Sequence, residues 1–428
     1  MFTDDYAPRC FWTVDAPLPD APDQPLPSSA DVVVIGSGYT GLTAARETAL
    51  VGRSTLVLDG GDIGGGCSAR NGGQVGFSLK PTFGELRARH GAEIAAGIYR
   101  EAGEALEDLR RLVADERLDC DWREVGSFLG AHTRRAFDAL VRDAESQPRG
   151  LEQPFTVVSR ADLAAEIDTP VYHGGVVYPR DAAIQPARLV RALCDRARAA
   201  GVALASHAEV RDIRRTATGF DVATARGGVA ARQVLIATNG YTGAFAPWHR
   251  RRVLPIGSYI IATEPLDPAV IARLLPRARN VSDTRRVVVY FRPSPDGTRI
   301  LFGGRASAGE SDVTRCVARL RAMLAEIFPP LARVRVSHAW MGLVGFTFDT
   351  LPHLGEQDGL FYCMGYCGQG ITSATYYGRK IGLTMAGRRG GESVLSGLRF
   401  QSRPYYHGRP WFLPAAVLGY RVADRLGI

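Results

Sequence analysis

Asp31-Val32-Val33-Val34-Ile35-Gly36-Ser37-Gly38-Tyr39-Thr40-Gly41 decides how the chain is read. Asp31 to Ile35 is a short apolar, β-branched run, the pattern of a parallel strand buried on both faces. Leu42, Ala45 and Ala49 then recur at helical spacing, and Ser54 to Leu58 repeats the buried-strand pattern. Between strand and helix stands G-x-G-x-x-G. Gly36 allows the tight turn, Gly38 lets backbone N–H groups approach a pyrophosphate at the helix N-terminus, and Gly41 lets helix and strand pack closely. Asp59, followed by Gly60, closes the second strand eighteen residues after Gly41, where a carboxylate accepts hydrogen bonds from ribose hydroxyls. The expected fold class is α/β, with a Rossmann-type domain binding a dinucleotide.

The surrounding chain of 428 residues is too long for one compact core. Pro186 to Ala200 reads as a helix ended by Gly201, followed by strands at Val202 to Ala205 and Val234 to Ala237. Between these βα pieces lie a helix-rich charged stretch from Glu85 to Asp143 and alternating, strand-like sequence from Pro255 to Gly304. This predicts a discontinuous α+β substrate domain on a mixed sheet (86–173 and 243–335) inserted into the dinucleotide-binding domain (30–85, 174–242 and 336–390). Residues 1–29, rich in Pro and Asp, read as an irregular surface arm, and 391–428 as a C-terminal tail.

A second glycine-dense loop, Gly64-Gly65-Gly66-Cys67-Ser68-Ala69-Arg70-Asn71-Gly72-Gly73-Gln74, selects the dinucleotide. The long ribityl and ring portion of FAD needs a further loop of backbone donors, which an NAD site seldom does. Cys67 has no partner thiol five residues on, where Gly72 stands, so it reads as a packing residue rather than a redox centre. A second strand-linked G-x-G-x-x-G for NAD(P)H is absent, so the electrons are expected to come from an organic substrate.

Together with this loop, Phe11-Trp12, Ala237-Thr238-Asn239-Gly240-Tyr241, the run Pro255 to Leu266 and Tyr290-Phe291-Arg292 follow in order along the chain. So do Leu301-Phe302-Gly303-Gly304-Arg305, Trp340-x-Gly342, Asp349-Thr350-Leu351-Pro352-His353-Leu354-Gly355 and Gly365-Tyr366-Cys367-Gly368-Gln369-Gly370. In these motifs the chain resembles the D-amino-acid/glycine/sarcosine oxidase superfamily of flavoproteins, and within it the γ-glutamylputrescine-oxidase-like branch. The resemblance implies that Gly36, Ser37, Gly38, Gly41, Ser68 and Gln74 wrap FAD, with Arg70, Asn71 and Gly72 in the same loop. It implies Val210 at the adenine ring, and Thr238, with Asn239 and Gly240, near the pyrophosphate. Trp340, Gly342, Asp349, Gly368, Gln369, Gly370 and Ile371 are implied along the ribityl chain and flavin ring. Tyr259, Tyr290 and Arg292, from the strand-rich domain, are the expected substrate-positioning residues.

Three departures from the family narrow the chemistry. Gly342 and Leu343 occupy the place of the cysteine that links covalently to flavin in the sarcosine oxidase branch, which implies noncovalent FAD. Leu301 falls where that branch has the lysine of its oxygen site, leaving oxygen and another electron acceptor both open. Thr372 falls where a basic residue clasps the substrate carboxylate. The expected reaction is oxidation of a C–N bond in an amine or polyamine conjugate, with hydride passing from the carbon beside a neutral amine to flavin N5 before the imine hydrolyses. Arg70, Arg292 or Arg305 could instead clasp a carboxylate and restore an amino-acid substrate. A non-catalytic, electron-relaying flavin subunit and an NADPH-dependent hydroxylase are the rival readings.

Composition agrees with a folded enzyme and excludes other classes. The net charge of +8 comes from arginine, since Lys80 and Lys380 are the only lysines, and both read as surface or helix residues rather than catalysts. Arginines and acids are interspersed, which argues against a nucleic-acid stripe. Seven cysteines without Cys-x-x-Cys fit reduced thiols in a cytoplasm. The histidines form no metal-ligand pattern, and His353 reads as a turn residue beside Pro352. The uncharged run Gly359 to Gly378 contains five glycines and reads as a turn between strand and helix, not an integral membrane segment. The tail from Phe400 to Leu426 is expected to dock on the protein or on a partner subunit, which leaves a homo-oligomer open.

Overall fold

The computed structural model describes residues 1–21, 24–77, 79–305 and 312–426. Its framework is two large mixed sheets. The first contains Ser29–Ile35 at its centre, flanked in parallel by Thr55–Leu58 and then Ala203–Ala205 on one side and by Gly227–Ile236 on the other. Leu360–Met364 adds in parallel to the end of Gly227–Ile236, while Phe220–Thr224 pairs antiparallel with its start. The central strand is covered on both faces, because Val32 and Val34 enter one apolar core and Val33 and Ile35 another.

Helix Tyr39–Ala49 is buried almost all round, which explains its lack of a polar face. Gly36, at φ +103°, makes the turn into it, and a Cβ at Gly41 would overlap the Gly36 carbonyl oxygen. Helix Gly370–Met385 packs across it. This contact is possible because Gly378 and Gly382 share one face: a Cβ on Gly378 would overlap Thr43 Oγ1 and lie 2.8 Å from Thr40 Cα.

The second sheet has nine strands, in the order Phe2–Ala7, Val336–Phe346, Leu254–Thr263, Ile300–Gly304, Val289–Pro293, Asn280–Asp283, Ser127–Gly130, Gly175–Tyr178 and Thr156–Val158. It shields a separate core with helix Val313–Ile327. The α/β class and mixed sheets agree with the sequence reading, but several expected boundaries move. Residues 1–29 are irregular only in part: Phe2–Ala7 joins the second sheet, and Trp12, in a short helix, is fully buried. Its indole supplies the apolar contact that the Pro- and Asp-rich composition concealed.

Gly175–Tyr178 and Val336–Phe346, assigned above to the dinucleotide-binding domain, are strands of the second sheet. Helix Ala92–Asp115, assigned to the substrate domain, instead buries its Ala95, Ile98, Ala105, Leu106 and Leu109 stripe in the core shared with the dinucleotide-binding helices. Among the described residues, no helix is long and apolar enough to cross a membrane.

Gly378→Ala is expected to destabilise the protein by about 1–3 kcal/mol through overpacking against Thr40 and Thr43. Gly228→Ala, at a site with open space, is expected to stay within about 0.5 kcal/mol of the parent. Urea unfolding checks this, and equal midpoints for the two variants would contradict the packing account.

Candidate functional site

The glycine turn opens onto a continuous cavity of about 1930 Å³ that runs from the first sheet to the inner face of the second. This exceeds the roughly 300–1,000 Å³ of ordinary ligand pockets and suits an extended dinucleotide together with a second molecule. Gly36, Ser37 and Gly38 line one end with Asp59, Gly60, Val210, Thr238 and Asn239. Ser68, Arg70, Asn71, Gly72, Gln74, Gly342, Gly368, Gln369, Gly370 and Ile371 line the middle.

The N-termini of two helices, Tyr39–Ala49 and Gly370–Met385, face this cavity. Neither has a side-chain cap or an acid in its first turn, so their positive ends are left for an anionic ligand. Close to the first, Ser68 Oγ accepts the Tyr39 N–H at 3.1 Å. The loop from Cys67 to Gln74 is pinned from outside: Trp12 Nε1 donates to the Asn71 carbonyl at 2.7 Å and Trp340 Nε1 to the Arg70 carbonyl at 2.8 Å. Within it, the Gly73 N–H donates to Asn71 Oδ1 at 2.9 Å. These donors, glycines and dimensions fit FAD.

Some expected residues shape the site without lining it. Gly41 packs under the turn. Gly240 lies against the Leu343 backbone and Trp340 is buried behind the loop. Asp349 is buried outside the cavity, while its neighbours Thr347, Phe348 and Thr350 line the wall. Its oxygens lie 3.0 and 3.1 Å from His353 Nε2, so His353 is a hydrogen-bond partner opening a strand rather than a simple turn residue. Burial works to raise the Asp349 carboxyl, but the hydrogen bond and charge of His353 outweigh it and hold the carboxyl below its ordinary value. Asp59 lines the cavity but already accepts from the Ser37 N–H at 2.9 Å, the Ser37 hydroxyl and the Gly61 N–H at 3.0 Å. Asn239 accepts the Gly365 N–H at 2.9 Å, tying two loops together.

The three substrate-positioning expectations divide. Tyr290 lines the cavity: its hydroxyl lies 2.9 Å from Ser258 Oγ, and its ring lies against Gly72. Tyr259 does not. Adjacent strand residues face opposite sides, so Ser258 points to the cavity and Tyr259 into the second core, beside Cys316. Arg292 shares the face of Tyr290 but is capped by the loop, donating from Nη1 to the Gly73 and Ile184 carbonyls, each at 2.9 Å. Its guanidinium locks backbone together and is withheld from a substrate carboxylate.

Lys80, expected on a surface or helix, lies on the cavity wall, where close packing lowers its ammonium pKa. Cys67 and Cys367 also line the cavity, and burial pushes each thiol up to about 11. Sequence reasoning missed a group farther along: Ser127, Asp143, Tyr178, Asp181 and Asn280. They come from separate strands and a helix, and only their convergence makes them a wall. The tail also contributes, with Tyr405, Phe412 and Leu413 on the lining, and Leu413 and Val417 packed against Leu254 and Ile256.

Known proteins agree with this geometry. A family model described as DAO, FAD-dependent oxidoreductase, matches residues 31–382. A probable oxidoreductase OrdL of Rhizobium meliloti (strain 1021) is 31% identical over 93% of this chain and 93% of its own. The γ-glutamylputrescine oxidoreductase of Escherichia coli (strain K12) is 28% identical over 94% of each chain. The crystal structure of glycine oxidase from Geobacillus kaustophilus shares the fold, with a TM-score of 0.70 at 23% identity over 89% of this chain and 100% of that one. With its glycine turn, pinned loop and paired helix ends in place, the chain belongs to the DAO family of FAD-dependent oxidoreductases.

Proposed function

We propose that the protein oxidises the C–N bond of an amine that carries no carboxylate on the reacting carbon, using noncovalently bound FAD. The observation that carries this reading is the environment of Thr372. Its buried hydroxyl donates to the Gly76 carbonyl at 3.4 Å, and Arg292 is bound to backbone carbonyls. Thr372 brings no positive charge to the place that the family resemblance assigns to a carboxylate clasp. The similarity to γ-glutamylputrescine oxidoreductase supports an amine substrate.

When bound, FAD supplies the two-electron acceptor, and the substrate leaves as an imine that water hydrolyses. The chain has to orient the amine and keep the reacting carbon dry. Tyr290, held by Ser258, forms part of the wall against which the substrate is placed. The positive end of helix Gly370–Met385 would stabilise negative charge on a bound cofactor. Noncovalent attachment is supported by Gly342 and Leu343, which have no nucleophile, and by the protonated state that burial imposes on Cys67 and Cys367.

Denaturing the yellow protein and filtering it is expected to release all flavin. Colour retained on the polypeptide would contradict noncovalent binding. Anaerobic mixing with amines, α-amino acids and NADPH tests the reaction: amines are expected to bleach the flavin. Best reduction by amino acids or NADPH would overturn the proposal, as would none by amines. Because the reactive form is the neutral amine, the reduction rate is expected to rise with pH toward the amine pKa, and a flat profile would count against the mechanism.

A further inference from the structure

Beyond Gly76, the cavity wall includes the acceptors Ser127, Asp143, Asp181 and Asn280. Asp181, only 8% exposed, lies between strands Gly175–Tyr178 and Ala182–Ala183. Ser127 Oγ donates to its Oδ2 at 2.5 Å and the Phe77 N–H to its Oδ1 at 3.3 Å. A Cβ on Gly76 would overlap the carboxylate, so Asp181 lies directly against the segment that receives the Thr372 hydroxyl. Its bonded partners are neutral. Arg110, the guanidinium whose charge reaches it, is engaged by Glu107, Glu124 and the Arg180 carbonyl. Burial pushes the Asp181 carboxyl up to about 6, and no cation among its bonded partners offsets that.

A second, independent observation comes from Asn280, which lines the same cavity and is 1% exposed. Its Nδ2 donates to the Ala182 carbonyl at 2.7 Å, next to Asp181, while Oδ1 has no hydrogen-bond partner. A buried amide oxygen left unpaired calls for a donor from an occupant. Asp143 also lines the cavity, and Tyr178 stands within the field of both carboxylates. Among the described residues, no group of three His, Cys, Asp or Glu could hold a metal ion.

We propose that Asp181, with Asn280 and Asp143, forms a subsite for a second, protonated nitrogen of the substrate, so that diamines and polyamines are preferred. This rests on the amine-oxidation reading and narrows it. An ammonium carries both the charge that Asp181 lacks and several N–H donors. A hydroxyl would bring a donor without the charge, and a carboxylate would meet like charge.

The test uses the FAD-loaded protein and three four-carbon probes: butylamine, diaminobutane and aminobutanoate. Anaerobic titration reads affinity from the perturbed flavin spectrum and reaction from bleaching. Diaminobutane is expected to bind about 10–100-fold tighter than butylamine, the effect of a charge-assisted hydrogen bond, with aminobutanoate weakest. Asp181→Asn is expected to remove most of the diamine advantage, taken relative to butylamine in the same variant, and Asp143→Asn to remove a smaller part. If Asp181→Asn fails to retain FAD, the wild-type order and Asp143→Asn decide. Equal wild-type affinities, preference for aminobutanoate, or an advantage that survives in folded Asp181→Asn would overturn the subsite. The expected binding order without bleaching would sink amine oxidation and leave the subsite standing, whereas bleaching by equally bound butylamine and diamine would do the reverse.

Discussion

Close approach of backbone to backbone beneath the Gly36 turn governs the rest of the molecule. A side chain at position 41 would overlap the Gly36 carbonyl, and one at 378 would overlap Thr43. These two absences let helix Tyr39–Ala49 lie against its strand and helix Gly370–Met385 lie across it. Both helix ends can then face one cavity. The loop from Cys67 to Gln74 completes the cradle, held by the indoles of Trp12, in a short helix, and Trp340, in a strand of the second sheet. Partial positive charge at the helix ends is a property of backbone direction, so it survives wide variation in side chains.

The cavity wall carries charges of both signs, Lys80, Arg285 and Arg305 among them. Helix N-termini face the cofactor end, and Asp181, Asp143 and an unpaired amide oxygen belong to the wall beyond Gly76. Of the three arginines that could clasp a carboxylate, Arg292 is spent on the Gly73 and Ile184 carbonyls, while Arg70 and Arg305 line the cavity. A second amine meets the buried Asp181 carboxyl more favourably than a carboxylate does.

Much of this was legible in the amino-acid order because local patterns carry it. The buried β-branched run, the glycine spacing and the helical recurrence of Leu42, Ala45 and Ala49 each report a backbone requirement, and each stands where expected. Side-chain destination is a different matter. Tyr259 and Ser258 are one residue apart on a strand, and only the register with Val336–Phe346 and Ile300–Gly304 says which faces the cavity. Trp12 lies in a Pro- and Asp-rich arm whose composition suggests exposure, yet its partner is Asn71, far along the chain. Asp181 and Asn280 carry no motif at all: strands distant in sequence bring them together, through the bond from Asn280 Nδ2 to the Ala182 carbonyl.

The central claim, that the reacting bond is a C–H beside an amine nitrogen, is tested most directly by isotope substitution at that carbon. Anaerobic flavin reduction by a diamine deuterated on both carbons next to nitrogen should be compared with reduction by the unlabelled diamine. The account predicts distinctly slower reduction by the deuterated compound at saturation, and an aldehyde that keeps one of the two deuteriums of the oxidised carbon. Identical saturating rates, with both deuteriums still on that carbon after the flavin is reduced, would contradict it.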